Sequence, residues 1–196
     1  EHTVAMKNDN TIYSWGNNLY GQLGDGTWTI SDQPYQFGSS ITWDKIFAGF
    51  DHTFGIATNG SLYAMGKNSS WELGDNTTTK KNVPTLIGTD TDWLTISPGG
   101  SHTLGIKNNG DLYSWGKGGE GQLGDNSTAS KHEPTLTTTT LKPKIIASGG
   151  LHSSCIRTNE DLWISGWNQW GELGLGTSFS QVNMFNYIPV PGCFPN

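Results

Sequence analysis

A fifty-residue repeat constrains this chain more than any other feature of its sequence. The third copy, from Leu112 to Thr128, reads LYSWGKGGEGQLGDNST. Four copies start at one spacing, at Ile12, Leu62, Leu112 and Leu162. A histidine keeps the same register, at His2, His52, His102 and His152. Self-similarity at a fixed period of a few tens of residues is typical of repeat architectures, so the chain is treated as one unit written four times.

Within each unit, the residue pattern favours short antiparallel strands. Large and small side chains alternate from His102 to Ile106, and a period of two indicates a strand. Asn109-Gly110 follows, and Asn-Gly between two strand-like runs is a strong hairpin signal. Because a four-stranded unit cannot bury both faces alone, neighbouring units must cover it. We expect the core to contain Trp15 and Trp115 together with the repeated leucine, at Leu23, Leu73, Leu123 and Leu173. The sequence predicts an all-β propeller with about 50 residues in each four-stranded blade, and an open β-solenoid is the alternative.

The repeated pattern H-T-x-x-I, x-N-G-x-L-Y-x-W-G and G-Q-L-G-D also resembles a known family, the regulator of chromosome condensation repeat. The resemblance runs from His2 to about Thr177 and implies a β-propeller, commonly with seven blades. Four residues depart from the pattern: Met65, Trp71, Ser165 and Leu175. The first copy lacks the beginning of its unit, and the tail does not supply it.

Because the chain has only four copies of the repeat and the first is incomplete, we predict a partial propeller of about four blades. Residues 1–177 would form the repeats, and residues 178–196 would form a C-terminal tail that caps the last blade. An uncovered first strand would expose unpaired backbone groups and an apolar face. We therefore expect the segment to belong to a longer chain or an assembly, with its first strands covered by preceding residues or by a neighbouring subunit.

Composition and charge argue against several classes of partner. The net charge is −6, and the longest basic run is Lys80–Lys81, so nucleic acid and anionic membranes are poor partners. No apolar run approaches the roughly 20 residues that span a bilayer. Cys155 stands where other copies hold Gly or Ala, which predicts a buried free thiol; a bridge to Cys193 is the alternative.

Candidate chemical sites are few. The histidine set is interpreted as structural, each ring bonding the backbone at the start of a strand, because equivalent residues lie in different blades. Asp25, Asp75 and Asp125 each supply one carboxylate to a loop, which suits loop capping better than calcium binding. No Ser/His/Asp arrangement, P-loop or CxxC motif is present. We therefore expect no catalytic residue, no metal and no cofactor, and we expect that the protein is not an enzyme.

The loops that follow the W-G motif, here called the W-G loops, begin at Asn17, Lys67, Lys117 and Trp167. They vary between copies while the scaffold positions stay constant, and equivalent loops of a propeller share one rim. Their variable side chains are the predicted partner-binding residues: Tyr20, Trp71, Glu120, Trp167 and Trp170. Exposed aromatic side chains suit protein interfaces and also stack on sugars. The alternative is that they fold back over the blade as lids.

These features predict a non-enzymatic module that docks a protein partner through the W-G loops, with a surface glycan as the alternative partner. A second hypothesis, from the low charge and abundant Thr, Asn and Gly, is a structural or adhesive component of a virion (bacteriophage) or cell surface. This favours an extracellular or virion location over the cytoplasm. A third, implied by the family resemblance, is a guanine-nucleotide exchange factor-like regulator.

Four N-x-S/T triplets, headed by Asn59, Asn68, Asn76 and Asn126, are candidate glycan acceptors.

Overall fold

A computed structural model describes residues 1–176 and 181–189. Within these ranges, fifteen strands form four antiparallel sheets, and no helix is present. The predicted all-β architecture with about 50 residues per blade is confirmed. In the described ranges there is accordingly no helix long and apolar enough to cross a membrane.

Each sheet is one blade, numbered here in chain order. Blade 1 contains β1 (His2–Met6), β2 (Ile12–Gly16) and β3 (Ser31–Phe37). Blade 2 contains β4 (Trp43–Ala48), β5 (His52–Ala57), β6 (Leu62–Gly66) and β7 (Lys81–Leu86). Blade 3 contains β8 (Trp93–Pro98), β9 (His102–Lys107), β10 (Leu112–Gly116) and β11 (Lys131–Thr138). Blade 4 contains β12 (Pro143–Ser148), β13 (His152–Arg157), β14 (Leu162–Gly166) and β15 (Val182–Ile188).

Strands within a blade pair in sequence order, each antiparallel to the next. Blades 2, 3 and 4 have four strands, whereas blade 1 has three among the described residues, with no equivalent of β4, β8 and β12. The strand β15 pairs with β14 and forms the last strand of blade 4. That a preceding segment or another subunit covers blade 1 stays a prediction.

The hairpins predicted at Asn-Gly are confirmed. β5 pairs with β6, and β9 with β10, around turns at Gly60 and Gly110, whose φ angles are +83° and +80°. Positive φ is the conformation that glycine adopts without steric cost, which explains why this residue suits the turn.

The first strands of blades 2, 3 and 4 lie closest to the common axis. β4 contacts β8, and β8 contacts β12. The loops that follow them are joined by backbone bonds: Phe50 N donates to Gly99 O at 3.3 Å, and Gly100 N donates to Gly149 O at 3.0 Å. The blades therefore pack in order around one axis, which places equivalent loops on the same rim.

Adjacent blades are held together by a core in which the repeated leucine is central. Leu23, Leu73, Leu123 and Leu173 are all buried, as the repeat predicted. Trp115 is also buried: its indole Nε1 donates to Glu72 O of blade 2 at 2.9 Å. Trp15 was expected to be buried too, but it is only half-buried. The reason is that no blade precedes blade 1 among the described residues, so nothing plays the part of Glu72.

The buried-thiol prediction for Cys155 is confirmed, and burial raises the pKa of this thiol to about 12. Cys193, the alternative bridging partner, lies outside the described residues.

Candidate binding rim

The W-G loops join the last two strands of each blade, and they lie on one rim. Here they meet the loops between the first and second strands: Lys67 N donates to Asp51 O at 2.8 Å, Lys117 N to Ser101 O at 2.8 Å, and Trp167 N to Leu151 O at 2.9 Å. The tight turns between the second and third strands lie on the opposite rim. Side chains of the four W-G loops are thus presented to one side of the molecule.

A buried asparagine fixes the start of three of these loops. Asn68 Oδ1 accepts a hydrogen bond from Leu73 N at 3.0 Å, and Asn68 Nδ2 donates to Asp75 Oδ1 at 2.8 Å. Asn18 and Asn168 make the same bond to Leu23 N and Leu173 N. Because the Asn68 side chain is buried and bonded in this way, a glycan at this position is incompatible with the fold.

The aspartates that follow Leu-Gly cap these loops, as expected. Asp75 accepts hydrogen bonds from the backbone and the hydroxyl of Thr77, and its carboxylate lies 3.1 Å from Lys81 Nζ. Burial alone would raise the pKa of Asp75, but hydrogen bonds from Thr77, Asn68 and Lys81 outweigh it and hold that pKa below its usual value. The caps keep the loop backbone in one conformation and leave the variable side chains to the rim.

Two of the repeated histidines, His2 and His102, bond across the interface between blades. His102 Nε2 lies 2.8 Å from Ser153 Oγ of the next blade, and Ser153 Oγ donates to Gln122 O at 2.7 Å. Since the hydroxyl gives its hydrogen to Gln122, the His102 ring must donate from Nε2. The expected bond from His102 to the backbone at the strand start is therefore wrong, because the partner is a hydroxyl across the interface.

His2 repeats this arrangement with Thr53 Oγ1 at 2.6 Å. Burial lowers the pKa of His52 and His102 to about 3 and that of His2 to about 4, so these three rings are uncharged at neutral pH. Across residues 1–176 and 181–189, no three His, Cys, Asp or Glu side chains come close enough to hold a metal ion.

The five predicted partner-binding residues divide into two groups. Trp71 is a lid: its ring stacks on His132 of blade 3 at 4.3 Å between centroids, with 15° between the ring planes. Glu120 lies 3.6 Å from Lys117 and is half-buried, and Trp167 is half-buried as well. In contrast, Trp170 is 79% exposed and Tyr20 is exposed. The lid alternative thus applies to Trp71, while Tyr20 and Trp170 face solvent.

Sequence reasoning missed part of the rim. Leu19 and Trp28 are exposed beside Tyr20, and Lys80 of blade 2 lies over the Trp28 ring at 4.2 Å. Both apolar residues break the repeat, since blades 2 and 3 hold Thr at the Trp28 position and Ser or Gly at the Leu19 position. Trp28 carries the same sequence signal as Tyr20, because both residues differ from their equivalents in the second and third copies.

Sequence models of the regulator of chromosome condensation (RCC1) repeat match most of the described chain. One matches residues 59–106 and 109–156, and a second matches residues 1–22, 43–70 and 95–122. The chain belongs to the RCC1 repeat family. No curated protein matches the sequence of this RCC1-repeat chain.

Solved structures share the propeller. The yeast RCC1 protein Prp20, in its structure with bound Kap60, superposes with a TM-score of 0.87 at 22% identity, over 98% of this chain and 48% of Prp20. Human WBSCR16 gives a TM-score of 0.85 at 20% identity, over 98% of this chain and 52% of WBSCR16. A second structure of Prp20, from Saccharomyces cerevisiae, superposes with a TM-score of 0.87 at 22% identity, over 98% of this chain and 49% of Prp20. That structure was described together with the binding of Prp20 to Gsp1p and histones. The RCC1-repeat chain therefore spans about half the length of these proteins.

Proposed function

We propose that this RCC1-repeat propeller is a non-enzymatic module that binds a protein partner through its W-G loops. The observation that carries the proposal is the exposure of Tyr20, Trp28 and Trp170 on one rim. Tyr20 and Trp170 share one position of the repeat, which holds Ser70 and Glu120 in blades 2 and 3. The position of Trp28 holds Thr in both of those blades, so the fold does not require an aromatic side chain at either position. Aromatic residues are enriched among the side chains that dominate protein binding energy.

Two further points support the proposal. The loop backbones are fixed by buried asparagines and capped by aspartates, so a partner would meet loops that are already ordered. The related yeast protein Prp20 has been crystallised with Kap60 and described binding Gsp1p and histones. Protein binding by this chain would use the same kind of scaffold with its own rim residues.

The experiment compares affinity capture from the source organism by the wild-type chain and by a rim variant. The variant carries Tyr20→Ser, Trp28→Thr and Trp170→Ser, each a residue found at that position in another blade. A matched control carries Leu86→Thr and Leu136→Thr, two exposed apolar side chains on last strands. We expect the rim variant to bind the purified captured partner at least about tenfold more weakly, or about 1.4 kcal/mol, and the control to bind it normally.

Equal loss in the rim variant and the control would contradict the proposal, because binding would not depend on the rim. If the captured partner is a small GTPase, a nucleotide-exchange assay decides whether the chain acts as an exchange factor-like regulator.

A further inference from the structure

The W-G loop of blade 1 carries an apolar surface that the W-G loops of blades 2 and 3 lack. Leu19, Tyr20 and Trp28 surround the ammonium group of Lys80, and we call these four residues the Lys80 patch. Leu19 is 61% exposed and Trp28 is 42% exposed. At the same positions, blades 2 and 3 hold Ser69, Ser70 and Thr78, and Gly119, Glu120 and Thr128. The apolar side chains are therefore a property of this loop and not of the repeat.

Lys80 differs from the other lysines of the chain in its charge environment. Nine lysines lie within 4.0 Å of an Asp or Glu carboxylate: Lys7, Lys45, Lys67, Lys81, Lys107, Lys117, Lys131, Lys142 and Lys144. Among the lysines that the structure describes, Lys80 alone has no such partner; Arg157 has none either, but its Nε donates to Leu141 O at 2.9 Å. In a chain with 17 acidic residues and 11 basic ones, an unpaired cation is unexpected from composition.

The contacts of Lys80 leave its charge available. Its Nζ donates one hydrogen bond to Leu19 O at 3.0 Å and lies over the rings of Trp28 and Tyr20, at 4.2 Å and 6.0 Å from their centroids. An ammonium group has three donors, so two remain for a ligand. The rings fix the position of the ammonium through cation–π attraction. They also reduce its hydration, which strengthens an ion pair formed there.

We propose that the Lys80 patch binds a segment of a partner protein that presents an Asp or Glu carboxylate beside an apolar side chain. The carboxylate would pair with Lys80 Nζ, and the apolar side chain would pack on Leu19 and Trp28. The proposal rests on the proposed function and names the chemistry of its partner. A sugar is a poorer fit, because the Lys80 ammonium covers one of the two faces of the Trp28 ring on which a sugar would stack, and a sugar brings no negative charge to pair with it.

The net charge of −6 limits this partner further. A strongly acidic protein would be repelled by the molecule as a whole, whereas a segment with one or two carboxylates is attracted locally and repelled little. Binding should therefore weaken as salt is raised, as expected for a partly exposed ion pair.

The test uses the full chain and two synthetic peptides as probes, acetyl-Asp-Phe-Glu-Leu-amide and its uncharged match, acetyl-Asn-Phe-Gln-Leu-amide. Binding is followed by NMR through the indole N–H signal of Trp28. We expect the acidic peptide to shift this signal and to bind at least about fivefold more tightly than the uncharged one. Lys80→Gln should abolish the difference between the peptides. Lys144→Gln, which removes a lysine paired with Glu160 on the opposite rim, should preserve it.

Three results would overturn the proposal: equal binding of both peptides, no binding of either, or a larger Trp28 shift with neutral oligosaccharides than with the acidic peptide. A doubling of molecular mass in sedimentation that Lys80→Gln removes would also overturn it, by assigning the patch to a second copy of the chain. If the rim variant loses its captured partner while the peptides show no discrimination, the proposed function stands and this inference fails. Thermal melts of both Lys variants confirm that folding is unchanged.

Discussion

Departures from the repeat differ between the blade interiors and the rim. In the interior of blade 4 and at its interface with blade 3, the changed residues occur in matched pairs. Gly105 packs so closely on Trp93 that an added Cβ would lie 2.7 Å from the ring. At the equivalent positions of blade 4, Pro143 replaces the tryptophan and Cys155 replaces the glycine. A proline ring lacks the indole atoms that exclude a Cβ in blade 3, and the Cys155 thiol is buried in a cluster with Leu104 and Leu141, so the position stays packed.

The interface between blades 3 and 4 contains a second matched pair. Between blades 2 and 3, Trp115 and Pro134 pack against Gly74. One blade later, Ser165 takes the tryptophan position, and Phe185 takes the proline position and packs against Gly124. The large side chain has moved from the third strand to the fourth while the space between blades stays filled.

On the rim, only one of the aromatic departures has such a match. Where Trp71 replaces a glycine, His132 stacks on it, so this aromatic belongs with the interior pairs. Tyr20, Trp28 and Trp170 are exposed instead. A large side chain that contributes to packing needs a compensating neighbour, whereas one that contributes to binding needs exposure. The comparison therefore separates residues that serve the fold from residues that serve a partner.

The largest effect is expected from acid, which acts on the interfaces and not on the rim. His2, His52 and His102 have folded-state pKa values of about 4, 3 and 3, below the value of 6.5 for an exposed histidine. The stability that they contribute is fully present above pH 6.5. It falls as pH drops from 6.5 to between 4 and 3, because the unfolded chain takes up protons that the folded chain refuses.

For each of these histidines, the free energy of unfolding should fall by about 1.4 kcal/mol for every pH unit by which the pH is lowered in this window. Denaturant melts between pH 7 and pH 4.5 measure the slope. The slope should be about a third smaller in the His102→Gln variant, which removes one of the three buried rings, and unchanged in Lys144→Gln. An unchanged slope in His102→Gln would contradict the interpretation of these rings as buried and neutral.

The second prediction compares two tryptophans at the same position of the repeat. Trp115→Ala should lower the free energy of unfolding by about 3–5 kcal/mol, because it leaves a cavity between blades and removes one of the two hydrogen bonds that the Glu72 carbonyl accepts. Trp15→Ala should cost less than half as much, because Trp15 is half-buried. Urea unfolding of the two variants checks the ratio, and equal losses would mean that Trp15 is covered in solution.

The third prediction concerns the matched pair in blade 4. Pro143→Trp alone should destabilise by about 1–3 kcal/mol, because the indole overlaps the Cys155 side chain. Combined with Cys155→Gly, which recreates the residues of blade 3, most of this loss should be recovered. A double-mutant cycle by chemical denaturation should give a coupling energy of about 1–2 kcal/mol. Additive losses would show that the two positions are independent.

Much of the fold could be predicted from the sequence because the repeat shows four versions of each position. Fixed spacing, the Asn-Gly turns and the buried leucines each follow from comparing copies. The prediction that Trp15 is buried is wrong, because comparing the copies does not show whether another blade covers the first one. The sequence could not show that Trp71 is a lid and not a binding residue, because its partner, His132, lies one blade away and out of register with the other histidines.

The rim was only partly predictable. Exposure of Tyr20 and Trp170 follows from variation between copies, but the position of Lys80 over Trp28 depends on how blade 2 meets the loop of blade 1. No residue pattern in a single unit contains that contact. The expected extracellular or virion location rests on composition and stays a prediction.

The smallest effect on stability is expected on the rim. Tyr20→Ser, Trp28→Thr and Trp170→Ser should each change the free energy of unfolding by less than about 0.5 kcal/mol, although each removes a large apolar group. Trp93→Ser, which removes an indole packed between Tyr113 and Trp115, should cost several times more. Equilibrium melts and partner binding are measured on the same samples. If the rim variants melt as the wild type does and bind the partner more weakly, the exposed aromatics contribute to binding and not to the fold. A loss of stability in Trp170→Ser comparable to that in Trp93→Ser would place this side chain against a neighbouring blade, and the distinction between interior and rim would fail at that residue.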